Sequence, residues 1–594
     1  QHLFYKKGLV PEVSAGLYVP YAPGMLYAQA DFEKIEQIEE VTRELVAELK
    51  SVVDHLPTHE ELARVITNAE SERLYAGQTA DGMASRLGFL RFVMGDLHHD
   101  REYLEHLKSV SADDVADVAR KYLVRERLSA VLMHNRSEKL EGWTGFGRAV
   151  ELLGTDLGVS AKGKTGKKLP PVSSKDSIES FVTSEGLRVL VHENRVSPVF
   201  SAHVSALGGL RGEMLWPVRS AEKDWGASYL FALTATKGTS NRNAREIAAI
   251  VEGSAAGLEA FSGRNTLGFQ ATGLLRDWSL LSKLFSESIA DAVFPDEEVE
   301  HSKRVAFESI RSIEDHSSQL CSKLFLEQLY GDHPYSRLTT GSLESIEGID
   351  SALLNAYRKR WIRPERMVLA LSGGIRRGEV ERFANELGKT LREVVGDPVL
   401  GKEAERGVNP ALNAPRWVEK TLGREQVHIM VGGVGLRLDS PERHAMRLLQ
   451  TLLGGQSGRL FIELREKKSL AYTVSPMNFE GMEAGYVGTY IASAPAKKDE
   501  AIQGIQRVLE NFAKKGPTEQ EVKRAKEFFL GRRAMDLQSD GAVASHLSIE
   551  AVYGLPRRTE DEIAEELKKV TGKQLQDVCR KYLVEAPMVT VAVG

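Results

Sequence analysis

Gly454-Gly455-Gln456-Ser457-Gly458-Arg459-Leu460-Phe461-Ile462-Glu463-Leu464-Arg465-Glu466-Lys467-Lys468-Ser469-Leu470-Ala471-Tyr472 is the stretch around which this chain is organised. Glycines release the backbone at its start, and an amphipathic helix is expected to follow. Arg465 and Tyr472 stand seven residues apart, nearly on one face if that helix continues. A guanidinium and a phenol can both donate to a peptide carbonyl oxygen as negative charge builds on it. Spacing alone also fits a solvated charged helix followed by a core tyrosine.

The same residues resemble the GGxxSRLFxxLRExxxLAYxV signature in the C-terminal part of the insulinase (pitrilysin) family of zinc metallopeptidases. The resemblance implies that Arg465 and Tyr472 hold the backbone of a substrate peptide opposite a zinc ion. It also implies an α+β fold of repeated insulinase-type domains, each a largely antiparallel sheet with helices packed on one face.

Composition agrees with an ordinary globular protein. The chain has 594 residues, too many for one core, with 42% hydrophobic and 27% charged content. A net charge of -5 gives no reason to expect nucleic acid or an anionic membrane as partner. There is no apolar run long enough for a membrane span. The two cysteines, Cys321 and Cys579, fall inside helical patterns, so neither a disulfide framework nor a cysteine zinc site is expected. The chain opens Gln1-His2-Leu3-Phe4 without an initiator methionine, as a processed or cut product would, and no targeting segment identifies a compartment.

An internal repeat sets the domain plan. Thr58-His59-Glu60-Glu61-Leu62 matches Thr518-Glu519-Gln520-Glu521-Val522, and Arg120-Lys121-Tyr122-Leu123-Val124 matches Arg580-Lys581-Tyr582-Leu583-Val584, about 460 positions apart. Asp81-Gly82 with Ala84-Ser85 matches Asp540-Gly541 with Ala544-Ser545 after one residue of slip. The expected organisation is the rear domain of a first copy over 1–145, truncated at its start, and a linker over 146–178. The front domain of a second copy follows over 179–395, then a connector over 396–414, and its rear domain over 415–594. Aligning the copies leaves roughly 280 residues of the first copy outside this chain. The echo of residues 355–361 and 367–373 in the other domains implies that each copy is itself two similar domains.

The linker contains Gly158-Val159-Ser160-Ala161-Lys162-Gly163-Lys164-Thr165, which satisfies the phosphate-loop pattern GxxxxGKT. A phosphate loop needs a strand before it and a helix after it. Here Lys167-Lys168 runs into Pro170-Pro171, so nucleotide binding is not expected.

The family holds zinc through HxxEH, two histidines four apart on one helical face with a glutamate between them and a third ligand downstream. Neither HxxEH nor HExxH occurs among the fifteen histidines. His59, His98, His99, His106, His316 and His333 read as surface or capping groups, the last within a family-like His333-Pro334-Tyr335 segment. Gly226-Ala227-Ser228-Tyr229-Leu230-Phe231-Ala232-Leu233 followed by Lys237-Gly238-Thr239 resembles the zinc helix, with Tyr229, Ala232 and Leu233 where histidine, glutamate and histidine belong. The third-ligand position falls near Ser309, beside Glu308. No metal ligand is therefore assigned to this chain. In the first copy, Phe4 and Pro11 stand where Arg465 and Tyr472 stand in the second.

The resemblance thus implies the non-zinc-bearing C-terminal portion of a zinc endopeptidase that degrades peptides in an enclosed chamber. Its partners would be a peptide substrate and an N-terminal zinc-binding domain or homologous subunit, and zinc would belong to the complete enzyme. The alternative is a catalytically inert scaffold or partner subunit of a zinc-bearing homologue.

Overall fold

The computed structural model describes residues 37–124, 178–396 and 412–594 continuously, scattered positions before 37 and between 125 and 133, and residue 410. The expected linker, the GxxxxGKT segment, most of the connector, and Phe4 and Pro11 lie outside the described residues. The chain divides into two compact units, Gln1–Val172 with Gly253–Ala255, and Ser173–Glu252 with Ala256–Gly594.

In the first unit, strands β1 (Glu12–Tyr18) and β2 (Met25–Asp31) form an antiparallel hairpin. Helices Ile38–Asp54, His59–Ala76, Ala80–Phe92, His99–Ser109 and Ala112–Tyr122 follow. Ile38, Val41 and Val46 are buried along the first of these, with Leu45 and Leu49 half-buried beside them. Capping boxes at Thr58 with Glu61 and at Ser111 with Asp114 fix where two of the others begin.

The second unit holds two sheets. The first runs β3 (Ile178–Val182), β4 (Arg188–Glu193), β10 (Met367–Gly373), β5 (Val199–Leu207), β9 (Thr266–Leu274), β8 (Gly257–Ser262). A two-strand pair, β6 (Gly238–Thr239) and β7 (Arg242–Asn243), stands apart from it. The second sheet runs β11 (Arg416–Lys420), β15 (Val589–Val593), β12 (Val427–Val434), β14 (Tyr486–Ser493), β13 (Ala471–Phe479). Each contains one parallel pair, β4 with β10 and β11 with β15, in an otherwise antiparallel arrangement. Leaving β3 aside, the two sheets share one strand order, since β4, β10, β5, β9, β8 map onto β11, β15, β12, β14, β13.

The main core of each sheet lies on one face. Val189, Val204, Phe269 and Leu369 meet Phe231, Phe285, Leu354 and Leu387 from the helices over the first sheet. Ile429, Val487 and Ile491 meet Leu449, Ile505, Phe512 and Leu575 over the second. The opposite faces are covered by an exchange of helices that the sequence had not suggested. Helix Ser317–Tyr330 packs Leu320, Cys321 and Phe325 on Met430, Val589 and Val591 of the second sheet. Helix Asp540–Val552 packs Ala544 and Leu547 on Leu190, Val368 and Ala370 of the first. Burying both faces explains why β10 reads as a nearly continuous apolar run, while β5 alternates apolar residues with Ser201, His203 and Ser205, all of them buried.

The repeat is visible in the helices. Those starting at Ile38, His59, Ala80 and Ala112 return with starts at Lys498, Glu519, Asp540 and Gly572, in each case 460 residues on. Residues 296–330 form two helices, Asp296–Asp315 and Ser317–Tyr330, broken at one position. His316 sits between them in an extended conformation. Cys321 and Cys579 are both free and buried, and burial pushes each thiol up to about 12. Among the described residues no helix is long and apolar enough to cross a membrane.

Candidate functional site

Helix Arg443–Leu453 stops at Gly454, and Gly455 turns the chain with φ +71°. Gly458 must lack a side chain, because a Cβ there would lie 2.0 Å from the Gly454 carbonyl oxygen. Leu460, Leu464 and Leu470 then anchor the segment in the core. Between them Phe461–Glu466 winds as a π-helix, with Lys467 N–H donating to the Ile462 carbonyl at 3.0 Å. Such wide turns recur at functional sites because they displace side chains from the regular helical face.

The helix does not continue to Tyr472, contrary to the spacing argument. Ser469 adopts φ +50°, and its N–H donates to the Arg465 carbonyl while that of Leu470 donates to the Leu464 carbonyl. Burial of Leu470 and the Ser493 hydroxyl bonded to its carbonyl at 2.5 Å pull the chain into β13 instead. Ala471 pairs with Ser493 and Thr473 with Ala492, so Tyr472 is the extra residue of a bulge at the free edge of the sheet. A bulge redirects its side chain, and Tyr472 is 77% exposed.

The two residues nevertheless meet. The Arg465 guanidinium lies 4.8 Å from the ring centre of Tyr472 and 4.6 Å from that of Phe461. Among the described residues no hydrogen bond or ion pair engages its N–H groups. Contact through the face of a guanidinium leaves its in-plane donors available to an oxygen acceptor. Phe461 therefore belongs to the site, although sequence spacing gave it no role.

Arg459, in the same motif, faces inward. Its Nε and Nη2 donate to Glu521 at 3.0 and 2.9 Å, Nη2 also reaches the Gly516 carbonyl at 3.0 Å, and the group stacks 4.6 Å over Phe512. The bond from Arg459, with those from Thr518, outweighs burial and holds the Glu521 carboxyl down at about 2. Of the two arginines, one braces the segment and the other is presented.

In the first sheet's half, helix Ala227–Thr234 places Tyr229, Ala232 and Leu233 half-buried, with Tyr229 and Leu233 against the core. Phenol, methyl and isobutyl groups do not make a zinc site. Among the described residues no cluster of three or more His, Cys, Asp or Glu side chains could hold a metal. Glu308 is exposed and paired with Arg311 at 3.0 Å. Helix Asp296–Asp315 still packs on the degenerate helix, where the Thr234 hydroxyl bonds Ser302 at 3.0 Å.

That helix also has a feature the sequence hid. Glu213 is wholly buried at its N-terminus, accepting from the Gly226 and Ser228 N–H groups at 2.7 Å each and from the Ser228 hydroxyl. Burial pushes its carboxyl up to about 8, against the pull of those donors. Of the six histidines read as surface or capping groups, His99 is half-buried and His333 is buried as the cap of the short turn Pro334–Ser336. His59, His98 and His106 are exposed, His316 Nδ1 is 2.6 Å from the Ser312 carbonyl, and His333 Nδ1 accepts from Tyr335 N–H at 3.1 Å.

Comparison with known proteins gives consistent matches. Residues 219–342 match the family described as insulinase (peptidase family M16), and residues 348–529 match that described as peptidase M16 inactive domain. An uncharacterized zinc protease of Mycobacterium leprae is 28% identical over 368 residues, 60% of this chain and 80% of the relative. One of Streptomyces coelicolor is 24% identical over 370 residues, 62% of this chain and 80% of the relative. The crystal structure of a peptidase M16 inactive domain from Pseudomonas fluorescens shares the fold, with TM-score 0.64 and 23% identity over 70% of this chain and 98% of that one. Matches to both parts of one family, with curated relatives of consistent description, lead to one conclusion: the chain belongs to the insulinase (M16) peptidase family.

Proposed function

We propose that this chain supplies the peptide-holding and charge-stabilising groups of a zinc endopeptidase whose metal is bound by another domain or subunit. The observation that carries this is the exposed pairing of Arg465 with Tyr472 at a bulged sheet edge, in a unit whose own zinc-helix positions are Tyr229, Ala232 and Leu233. Arg465 and Tyr472 would donate to a substrate carbonyl oxygen, strengthening as that oxygen gains charge. Closing the site between halves would favour short unfolded peptides. The family name borne by residues 348–529 supports an inert partner subunit as the second reading.

Zinc-supplemented chain on its own is expected to leave an unstructured reporter peptide intact, and to bind an uncleaved peptide more weakly once Arg465 is replaced by alanine. Chelator-sensitive hydrolysis by the isolated chain would overturn the division of roles. Unchanged peptide affinity in Arg465→Ala and Tyr472→Phe would favour the inert reading.

A further inference from the structure

The free edge of the second sheet leads from the Arg465 and Tyr472 pair to a second concavity. Among the described residues β13 pairs only with β14, and Pro476 stands opposite Thr489 within it. Having no N–H, proline is tolerated on an edge strand where that side of its backbone faces outward. The backbone groups of Val474 and Asn478, two residues to either side, alternate outward with it. The side chains of all three share the helix-covered face. Val474 is buried in the core there, and Gly454, at the end of helix Arg443–Leu453, lies so close to Pro476 that a Cβ would come 2.9 Å from the proline ring. Asn478 follows on that face and lines a cleft of about 400 Å³ with Leu438, Arg447, Gln450, Thr451 and Phe529. Tyr472 and Asn478 are six residues apart, roughly 20 Å along an extended strand.

The chemistry of the cleft selects one kind of side chain. Leu438 and Phe529 give it apolar walls. Asn478 Oδ1 is buried with no hydrogen-bond partner among the described residues, a cost that an arriving donor would remove. Arg447 donates to Glu480 from Nε at 2.6 Å and from Nη2 at 2.7 Å, and Arg443 holds the same carboxylate. Among the described residues no hydrogen bond engages the Arg447 Nη1. Two guanidiniums on one carboxylate leave a net positive charge, which disfavours lysine and arginine. A carboxylate would bring no proton for Asn478, whereas a phenol can donate to Oδ1 and accept from the guanidinium. We propose that this cleft is a subsite for a tyrosine side chain of an extended peptide running along the edge of β13, about six residues from the carbonyl held by Arg465 and Tyr472. The outward groups of Val474 and Asn478 would pair with the peptide backbone between the two anchors. Pro476 offers only its carbonyl, which keeps the same edge from pairing along its full length with another chain. The assignment rests on the proposed role of Arg465 and Tyr472 and adds a substrate class to it: unstructured peptides long enough to span both anchors.

Peptide binding to the intact chain tests it, with capped alanine–serine peptides of three to ten residues that carry one tyrosine at either end, read by competition against a labelled unstructured peptide. Affinity is expected to rise more than about tenfold once a peptide with the tyrosine at one particular end reaches about seven residues, because both anchors then hold one molecule. Among the longer peptides tyrosine should bind about three- to tenfold better than phenylalanine, the gain of one hydrogen bond, and better than lysine or glutamate. Asn478→Leu should bring tyrosine and phenylalanine level, with melting unchanged. Arg465→Ala should abolish the length step yet keep the order of side chains, which separates the cleft from the clamp. A length step with no preference for tyrosine, or a preference untouched by Asn478→Leu, would overturn the cleft and leave the clamp standing. Affinity indifferent to Arg465→Ala at every length would remove the clamp together with the spacing measured from it.

Discussion

Arg211 and Glu483 form an ion pair joining helix Gly209–Leu215 to the turn between β13 and β14, with Nε 2.5 Å from Oε1 and side chains only 9% and 6% exposed. Burial alone would raise the Glu483 carboxyl. His333 and Arg211 outweigh it and hold the group down at about 2. Removing either partner strands a desolvated charge, at a cost of about 3–5 kcal/mol. The two losses are not equivalent. In Arg211→Met the abandoned carboxyl can take up a proton, so its destabilisation should shrink as pH falls toward 5. In Glu483→Gln the guanidinium stays charged at every accessible pH, and the cost should stay flat. Arg211→Met with Glu483→Met should cost less than the two single changes together, because no charge remains. Thermal melts at pH 5 and pH 8, compared within this multidomain chain by shifts in midpoint, read these differences. Additive costs in the double variant, or a pH-independent Arg211→Met, would show that the pair is not electrostatically coupled as its geometry requires.

Phe461→Leu removes one of the two rings under Arg465, a contact of about 0.5–1 kcal/mol at a partly exposed site. In the assembled peptidase it should slow peptide turnover about two- to fivefold, against about ten- to a thousandfold for Arg465→Ala or Tyr472→Phe, with melting unchanged. Arg459→Ala should destabilise the second sheet's half by about 1–3 kcal/mol through lost charge-assisted bonds. Because the folded Glu521 carboxyl titrates near 2, below its ordinary 4.5, its contribution is complete above pH 4.5 and fades as pH falls toward 2. Arg459→Ala should flatten that acid limb in melts. Glu213 works in the opposite sense: raised to about 8, it keeps its proton in the folded state, so stability falls as pH rises from 4.5 to 8. His203, lowered to about 4 by burial, offsets this only below pH 6.5. The decline between pH 6.5 and 8 should be lost in Glu213→Gln, and a midpoint in that variant still falling as in the parent would refute the assignment.

What the sequence made legible is what repeats or alternates. The Thr58 and Thr518 segments matched by the repeat both open helices through capping boxes, and local backbone physics determines them. Arg465 and Tyr472 were legible as a pair but not in their geometry. Helical periodicity assumed a continuous helix, whereas buried Leu470 and the left-handed Ser469 break it and a bulge restores the meeting. Phe461 was hidden because a π-turn moves neighbours off the positions that a 3.6-residue period assigns. Glu213, Arg211 and Glu483 were hidden for another reason. Their partners lie across the fold, and a buried carboxylate looks the same in sequence as a solvated one.

These hidden groups share a role: they tie neighbouring elements of the second unit together. Glu213 fixes the start of the stripped helix, and Arg211, just past the end of β5 at Leu207, carries that position across to Glu483 beside the second sheet. Buried charges kept at such cost hold the two sheets of the second unit in register. On the proposed function, that register also fixes the place where Arg465 and Tyr472 are presented. Loosening the Arg211–Glu483 tie should therefore weaken peptide holding even in variants that remain folded at the assay temperature. The comparison of peptide affinity in Arg211→Met with that in the better-compensated double methionine variant measures it. Equal affinities for parent, single and double variants would show that the tie serves stability alone.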